Sequence, residues 1–138
     1  MANTTPIFVL TPKVGQARVT AANTASDGSG ALVTLFTAGA DGSRIDRVTI
    51  RNSQVTAAAS SAMVVRVFIT DTSGINPRLY AEATLATATR SATAIGATST
   101  ITFLGGLIIN SGQLLQVCQS VYAGAQDQND FIAEGGDY

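Results

Sequence analysis

The chain has 138 residues, of which Ala, Thr, Ser and Gly supply 64, whereas charged residues make up 12%. Val, Ile, Leu and Phe supply a further 35, which exceeds the level of a disordered segment and suffices for the core of one domain. His is absent and Lys occurs once, at Lys13, so the usual proton shuttle, zinc ligand and Schiff-base donor are wholly or nearly missing. The composition therefore favours a structural or binding role over catalysis.

The start of the chain carries no basic residue ahead of its short apolar run at residues 7–10, unlike a secretory signal. The apolar stretches are far shorter than the ~20 residues that span a bilayer, so we expect a soluble chain without a membrane partner. Because Pro6 and Pro12 flank the run, we expect residues 1–22 to form an extended N-terminal segment. It packs on its own sheet or reaches a neighbouring subunit as an arm, and residues 23–138 form the main domain.

Short strands are predicted along the rest of the chain. A strand at 15–22 is followed by the β-branched run 31–37, which a turn containing Asp41 and Gly42 closes. Residues 44–51 then alternate, which predicts a half-buried strand with a basic outer row. The two predicted faces carry Asp46, Val48 and Ile50 on one side, and Arg47, Thr49 and Arg51 on the other.

Residues 63–70 alternate as well, but both faces are apolar apart from Arg66. One face carries Met63, Val65, Val67 and Ile69, and the other carries Val64, Arg66, Phe68 and Thr70. Such a strand lies centrally in a sheet or has its outer face covered by a neighbouring subunit. Turn residues at 71–77 and renewed alternation at 78–85 predict a hairpin.

Two Ala-rich stretches, 54–62 and 83–97, are ambiguous because Ala favours helix whereas Thr and Ser compete with the helix backbone. We interpret the second as a strand end plus a loop, with a short helix as the alternative. Further strands are predicted at 98–104, 106–110, 114–121 and 129–134. About nine short strands at this spacing predict an all-β fold, a single antiparallel β-sandwich or jelly-roll-like domain with a short N-terminal extended arm.

Charge is distributed unevenly, although the net charge is −1. Residues 1–90 carry a net charge of +3, and residues 91–138 carry −4 and no basic residue. We expect the acidic C-terminal segment to pair with the Arg-rich middle within the fold, with pairing between subunits as the alternative.

Candidate chemical sites are few. Asp127, Asp130 and Glu134 form the only dense carboxylate set, but they lack the pattern of a calcium loop, so we interpret them as a solvated acidic tail. Asp41 and Asp46 flank a turn, and nothing in the sequence places them in a cleft for acid–base chemistry. Without His, a Ser or Thr nucleophile lacks its base. We therefore expect no catalytic residue, no metal and no cofactor.

Arg44, Arg47 and Arg51 could contact phosphates, but we favour their pairing with carboxylates within or between subunits. Cys118 is the single cysteine, so no disulfide within the chain is possible. It lies among Leu and Val residues, which indicates a small, buried and unreactive side chain.

Three segments, residues 5–15, 35–50 and 131–138, together resemble a group of short proteins encoded among the virion genes of tailed bacteriophages. They lie at the start, middle and end of the chain, so the resemblance spans its whole length. It implies a non-enzymatic virion structural protein, made in the host cytoplasm and located in the virion. A capsid decoration or cement protein that stabilises the head lattice is the favoured role. The alternative is a tail or fibre component, including a carbohydrate-binding module.

As a hypothesis, residues of the arm, the basic row and the outer face of strand 63–70 form subunit contacts. They are Ile7, Phe8, Val9, Leu10, Arg44, Arg47, Arg51, Val64, Arg66 and Phe68. The expected partners are further copies of the chain, for example in a trimer, and the major capsid protein or other virion proteins. Nucleic acid and small-molecule substrates are not expected.

Overall fold

The computed structural model describes residues 9–54 and 57–138, which form eight strands and two 3₁₀ turns. The strands are β1 (Thr11–Val19), β2 (Val33–Thr37), β3 (Ser43–Asn52), β4 (Met63–Ile69), β5 (Arg78–Leu85), β6 (Thr98–Ile109), β7 (Leu114–Gln119) and β8 (Asn129–Asp137). The 3₁₀ turns are Thr72–Gly74 and Ala125–Asp127. The predicted all-β fold is confirmed.

The strands form two antiparallel sheets that pack face to face. Sheet A has the order β1-β8-β3-β6, and sheet B has the order β2-β7-β4-β5. The first strand pairs with the last, the second with the seventh, the third with the sixth and the fourth with the fifth. These are the pairs that form when a long hairpin of four strands against four rolls up into two sheets. The topology is therefore that of a jelly roll.

The core lies between the sheets and follows from the alternation of the strands. In β3, Ile45, Val48 and Ile50 have no exposed surface, and they share one apolar cluster with Val65 and Val67 of β4. Burying one such side chain stabilises the fold by about 1.5–3 kcal/mol. Because a slip of one residue would turn these side chains outward, the buried face also fixes the register of the strands.

The alternation predicted for β3 is broken at Asp46. The pairing of β3 with both neighbours shifts between Ile45 and Arg47, so Asp46 is the extra residue of a β-bulge and is exposed. The predicted inner position of Asp46 is therefore wrong, and Ile45 occupies it. The bulge also brings Arg44 to the outer side of the strand, where Arg47 and Arg51 lie as predicted.

Several other predicted elements can be compared with the structure. The hairpin is confirmed, because β4 pairs with β5 from Met63 opposite Leu85 to Ile69 opposite Arg78. Residues 86–97 contain no helix, which confirms the interpretation as a strand end plus a loop. The two strands predicted within 98–110 are one strand, β6, because the chain bulges at residues 103–106 without leaving β3.

The N-terminal segment pairs with its own sheet from residue 10 onward. Strand β1 covers residues 11–19 instead of the predicted 15–22, and it pairs along its whole length with β8. Ahead of it, the Leu10 N–H donates to the Asp137 carbonyl oxygen at 2.9 Å. Residues 7 and 8 of the N-terminal apolar run lie outside the described residues.

The two sheets also meet along their margins. β1 approaches β2 so closely that a Cβ atom at Gly15 would lie 2.2 Å from the Leu35 carbonyl oxygen, so only glycine fits there. At the opposite margin, the rings of Tyr80 in β5 and Phe103 in β6 have centroids 5.5 Å apart. Tyr80 is the extra residue of a bulge in β5, and Phe103 begins the bulge in β6.

Residues 20–32, here called the covering loop, cross the outer face of sheet B. At one end the Asn23 N–H donates to the Gln119 carbonyl oxygen at the end of β7. Further along, Gly28 contacts Pro77 just ahead of β5, where a Cβ atom on Gly28 would lie 2.6 Å from Pro77 Cγ. Since the core fills the inner side of sheet B, the loop reaches from β7 to β5 across the outer side.

Candidate interaction surfaces

The outer face of sheet A is broad, ordered and open. Between the bulge and the C-terminal end of β3, the registers of the strands place the outward side chains in three cross-strand rows. The rows are Val14, Glu134, Arg47 and Thr102; Gln16, Ile132, Thr49 and Thr100; and Arg18, Asp130, Arg51 and Thr98. Small threonines and ionic side chains therefore make up most of this face.

Ion pairs join β8 to the strands on both of its sides. Arg18 binds Asp130 through two hydrogen bonds, of 2.6 and 3.0 Å, and Arg47 pairs with Glu134. These bonds hold the pKa values of Asp130 and Glu134 below their usual range. Both carboxylates are therefore ionised and compensated at neutral pH.

A third carboxylate of β8, Asp137, lies at the end of the sandwich on the inner side of sheet A, in alternation with the buried Ala133. Lys13 Nζ is 3.2 Å from Asp137 Oδ2, and the Ser43 hydroxyl also donates to this carboxylate. Burial opposes ionisation of Asp137, but these hydrogen bonds outweigh it, so its pKa is lowered. The predicted pairing of the acidic segment within the fold is thus confirmed. Two of its partners come from β1 rather than from the middle of the chain, because β8 lies between β1 and β3.

Two arginines of the predicted basic row behave differently from Arg47. Arg44 pairs with Asp46 within the bulge, at 2.9 Å between Nε and Oδ1. Arg51 is exposed, and among the described residues no carboxylate lies within ion-pair distance of it. Arg51 is therefore the member of the row that keeps an uncompensated charge.

The outer face of sheet B is covered by the chain itself. Phe68 is fully buried although it lies outside the apolar cluster between the sheets. Arg66 pairs with Glu82 at 2.8 Å, also donates to the Asn23 carbonyl oxygen, and keeps 12% of its side chain exposed. Of the two alternatives predicted for this strand, the central position in a sheet is confirmed, and the covering loop rather than a neighbouring subunit lies over its outer face. Phe68 has no surface left for a neighbour, and Val64 stays half-buried.

Cys118 lies under the same loop. It is buried, as predicted, and its Sγ atom is 3.9 Å from the Asn23 carbonyl oxygen. Burial raises the pKa of the thiol. Cys118 is therefore a small side chain of the interior, as predicted.

The arm residues are only partly described. Ile7 and Phe8 lie outside the described residues, so their predicted role stays a prediction. Val9 is half-buried and packs on Gly136 of β8, where a Cβ atom would lie 2.7 Å from a Val9 methyl carbon. Leu10 is 69% exposed.

The interpretation of the acidic set as a solvated tail is wrong, most clearly at Asp127. This residue has no exposed surface. Its Oδ1 accepts the Ser61 N–H at 2.7 Å, and its Oδ2 accepts the Ser61 hydroxyl at 3.0 Å and the Ala123 N–H at 2.8 Å. Asp127 therefore ties two loops together, while Asp130 and Glu134 of β8 pair with Arg18 of β1 and Arg47 of β3.

An exposed apolar margin on β5 and β6 was missed by the sequence patterns. Leu104 is 97% exposed at the bulge of β6, Ile108 is 62% exposed, and Tyr80 is 50% exposed. In the sequence, the pair Gly105 and Gly106 interrupts an apolar run, and this was the signal for a bulge. In the structure both residues have positive φ angles, of 78° and 83°.

Within the described residues, no three His, Cys, Asp or Glu side chains lie close enough together to hold a metal ion. Among the helical segments of that part of the chain, none is long and apolar enough to cross a membrane. Compared with the known protein families and with curated proteins, the chain has no significant match.

Proposed function

We propose that the protein is a non-enzymatic virion structural protein of a tailed bacteriophage, a capsid decoration protein that binds the head lattice and further copies of itself. The resemblance of three segments to virion proteins suggests this class. The jelly-roll topology is compatible with it, since jelly rolls recur in viral capsid domains as well as in lectins. A fold alone does not define a function, so a surface must carry the proposal.

The observation that carries it is the outer face of sheet A. Apart from Arg51 at one end of the face, a neighbour that covers it meets mainly threonines and ion pairs that are already formed within the chain. Burying an unpaired charge costs several kcal/mol, whereas a compensated pair adds no unpartnered ion to the interface. The face spans four strands, and the hydrogen-bonded sheet and the ion pairs fix the positions of its side chains. Little side-chain freedom is therefore lost when a neighbour binds.

Quantitative mass spectrometry of purified phage particles tests the class of protein. We expect hundreds of copies per particle, as a head lattice requires. A few copies per particle would favour the tail or fibre alternative, and absence from particles would overturn the proposal.

A pair of variants tests the surface. Thr100→Arg places an uncompensated cation in the middle row of sheet A, and Ser26→Arg places one on the exposed covering loop of the opposite face. We expect Thr100→Arg to lower occupancy on particles about tenfold or more, because the new charge is buried on contact. Ser26→Arg leaves occupancy unchanged. The reverse result would assign the contact to the covering loop and overturn the assigned face.

Deletion of residues 1–8 tests the arm, because it leaves β1 and its pairing with β8 whole. Reduced occupancy or loss of oligomers with unchanged thermal stability is expected. Unchanged occupancy and oligomeric state would remove the arm from the proposal.

A further inference from the structure

A pocket of about 440 Å³ lies beside the outer face of sheet A, between the end of β3 and the loop that precedes β6. Its lining consists of Arg51 from β3 and residues 90–98, which include Arg90 and the hydroxyl-bearing Ser91, Thr93 and Thr98. The volume is within the range of pockets that bind small organic molecules. Two guanidinium groups and several hydroxyl groups thus border one cavity.

Neither arginine of this pocket is neutralised by the chain. Five other basic residues form ion pairs, but within residues 9–54 and 57–138 no carboxylate lies within 4.0 Å of the Arg51 or Arg90 guanidinium. Residues 1–8 and 55–56 contain no Asp or Glu that could supply one. Asp130, which lies opposite Arg51 in the register of β3 and β8, is bound by two hydrogen bonds to Arg18. The pocket therefore holds an excess of positive charge in a chain whose net charge is −1.

The Arg90 side chain is positioned by buried backbone. It donates to the carbonyl oxygen of Asn52, and a Cβ atom on Gly96 would lie 3.2 Å from Arg90 Nε, so the loop closes against the guanidinium. Asn52 is itself buried, and its amide donates to the Gln126 carbonyl oxygen at 2.9 Å. A guanidinium has five N–H donors, so one bond to a carbonyl leaves the others for a ligand.

From this arrangement we propose that the pocket binds an oxyanion, the carboxylate or phosphate group of a small organic molecule, through Arg51 and Arg90. Guanidinium groups match both anions with paired hydrogen bonds, and their charge-assisted bonds are stronger than neutral ones. The hydroxyl groups of Ser91 and Thr93 supply further donors at the rim. This site goes beyond the proposed virion role and does not depend on it, and it differs from the expectation of no small-molecule ligand.

Titration with sodium phosphate, followed by ¹⁵N NMR at pH 7 and constant ionic strength, tests the site. We expect saturable shifts at residues 90–98 and at Arg51. Arg51→Gln and Arg90→Gln should each weaken binding about tenfold, the effect of losing one charge-assisted contact. Arg51→Gln is the decisive variant, because Arg90→Gln also removes the bond to Asn52. Arg78→Gln is the matched control, since Arg78 is exposed and has no ion pair among the described residues.

A parallel titration with sodium acetate distinguishes the two anions. Saturation by acetate at the same residues indicates a carboxylate ligand, and saturation by phosphate alone indicates a phosphate ligand; both support the site. Wild-type affinity in Arg51→Gln, equal weakening in Arg78→Gln, or identical shifts with sodium chloride would overturn the proposal.

Discussion

The outer faces of the two sheets differ in what covers them. On sheet B the covering loop runs from Asn23 at β7 to Gly28 at Pro77, and beneath it Phe68 and Cys118 are buried. On sheet A no segment of the described chain lies over the three rows, and ion pairs and threonines face outward instead. The large apolar side chain Phe68 is therefore buried on the face that the chain covers, whereas the charges on the open face are compensated except at Arg51.

The largest expected effect comes from the covered face. Phe68→Ala should lower the free energy of unfolding by about 3–5 kcal/mol, because it leaves a cavity beneath the covering loop. Ile132→Ala, the matched apolar residue on the outer face of sheet A, should cost less than half as much, since Ile132 is only half-buried. Urea unfolding of both variants measures the difference. Equal losses would mean that the two faces are equally buried.

The same contrast between covered and open positions applies to two carboxylates. Asp127→Ala should lower the free energy of unfolding by about 3 kcal/mol, because two backbone N–H groups and a hydroxyl lose their buried acceptor. Asp130→Ala should lower the melting temperature by less than about 4 °C, since its partner Arg18 is exposed and returns to water. Calorimetry of the two variants is the measurement. A large loss in Asp130→Ala would contradict the description of sheet A as an open face.

A third change loosens the covering loop itself. Gly28 has a φ of +85° and no room for a Cβ atom, so Gly28→Val should destabilise the closed loop. A cost of about 1–2 kcal/mol in the closed conformation of the loop raises the fraction of molecules with an open loop about tenfold. We therefore expect Cys118 to react with a thiol reagent about tenfold faster. Gly105→Val is the control, since Gly105 has a similar φ of +78° but open space around it. Faster labelling in both variants would indicate general unfolding.

The smallest effect concerns acid. Because the folded-state pKa values of Asp130 and Glu134 are lowered, the stability that they contribute is complete above about pH 5. This contribution is lost as the pH falls below about 4 and through the lowered pKa values of the folded state. Melting temperatures between pH 3 and 7 should therefore fall less in the double variant Asp130→Asn, Glu134→Gln than in the wild type. Identical pH profiles would show that these pairs contribute nothing.

A feature of the structure can be predicted from the sequence when neighbouring residues determine it, and cannot when residues far apart in the chain do. Alternation in 44–51 located a strand with Arg47 and Arg51 on its outer side, because alternation is a property of neighbouring residues. It misplaced Asp46, since a bulge depends on how two other strands pair with β3. The sequence wrongly predicts a solvated Asp127, because its partners, Ser61 and Ala123, belong to loops that only the folded chain brings together.

The all-β class, the hairpin of β4 and β5, and a chain with few charges and no His can be predicted without the folded structure. These features follow from local periodicity and from composition. The tertiary structure decided which faces are open, because Phe68 and Cys118 are covered by a loop from a distant part of the chain. It also decided which charges are free. β8 lies between β1 and β3 and compensates Arg18 and Arg47, whereas Arg51 and Arg90 line one pocket to which the described part of the chain brings no carboxylate.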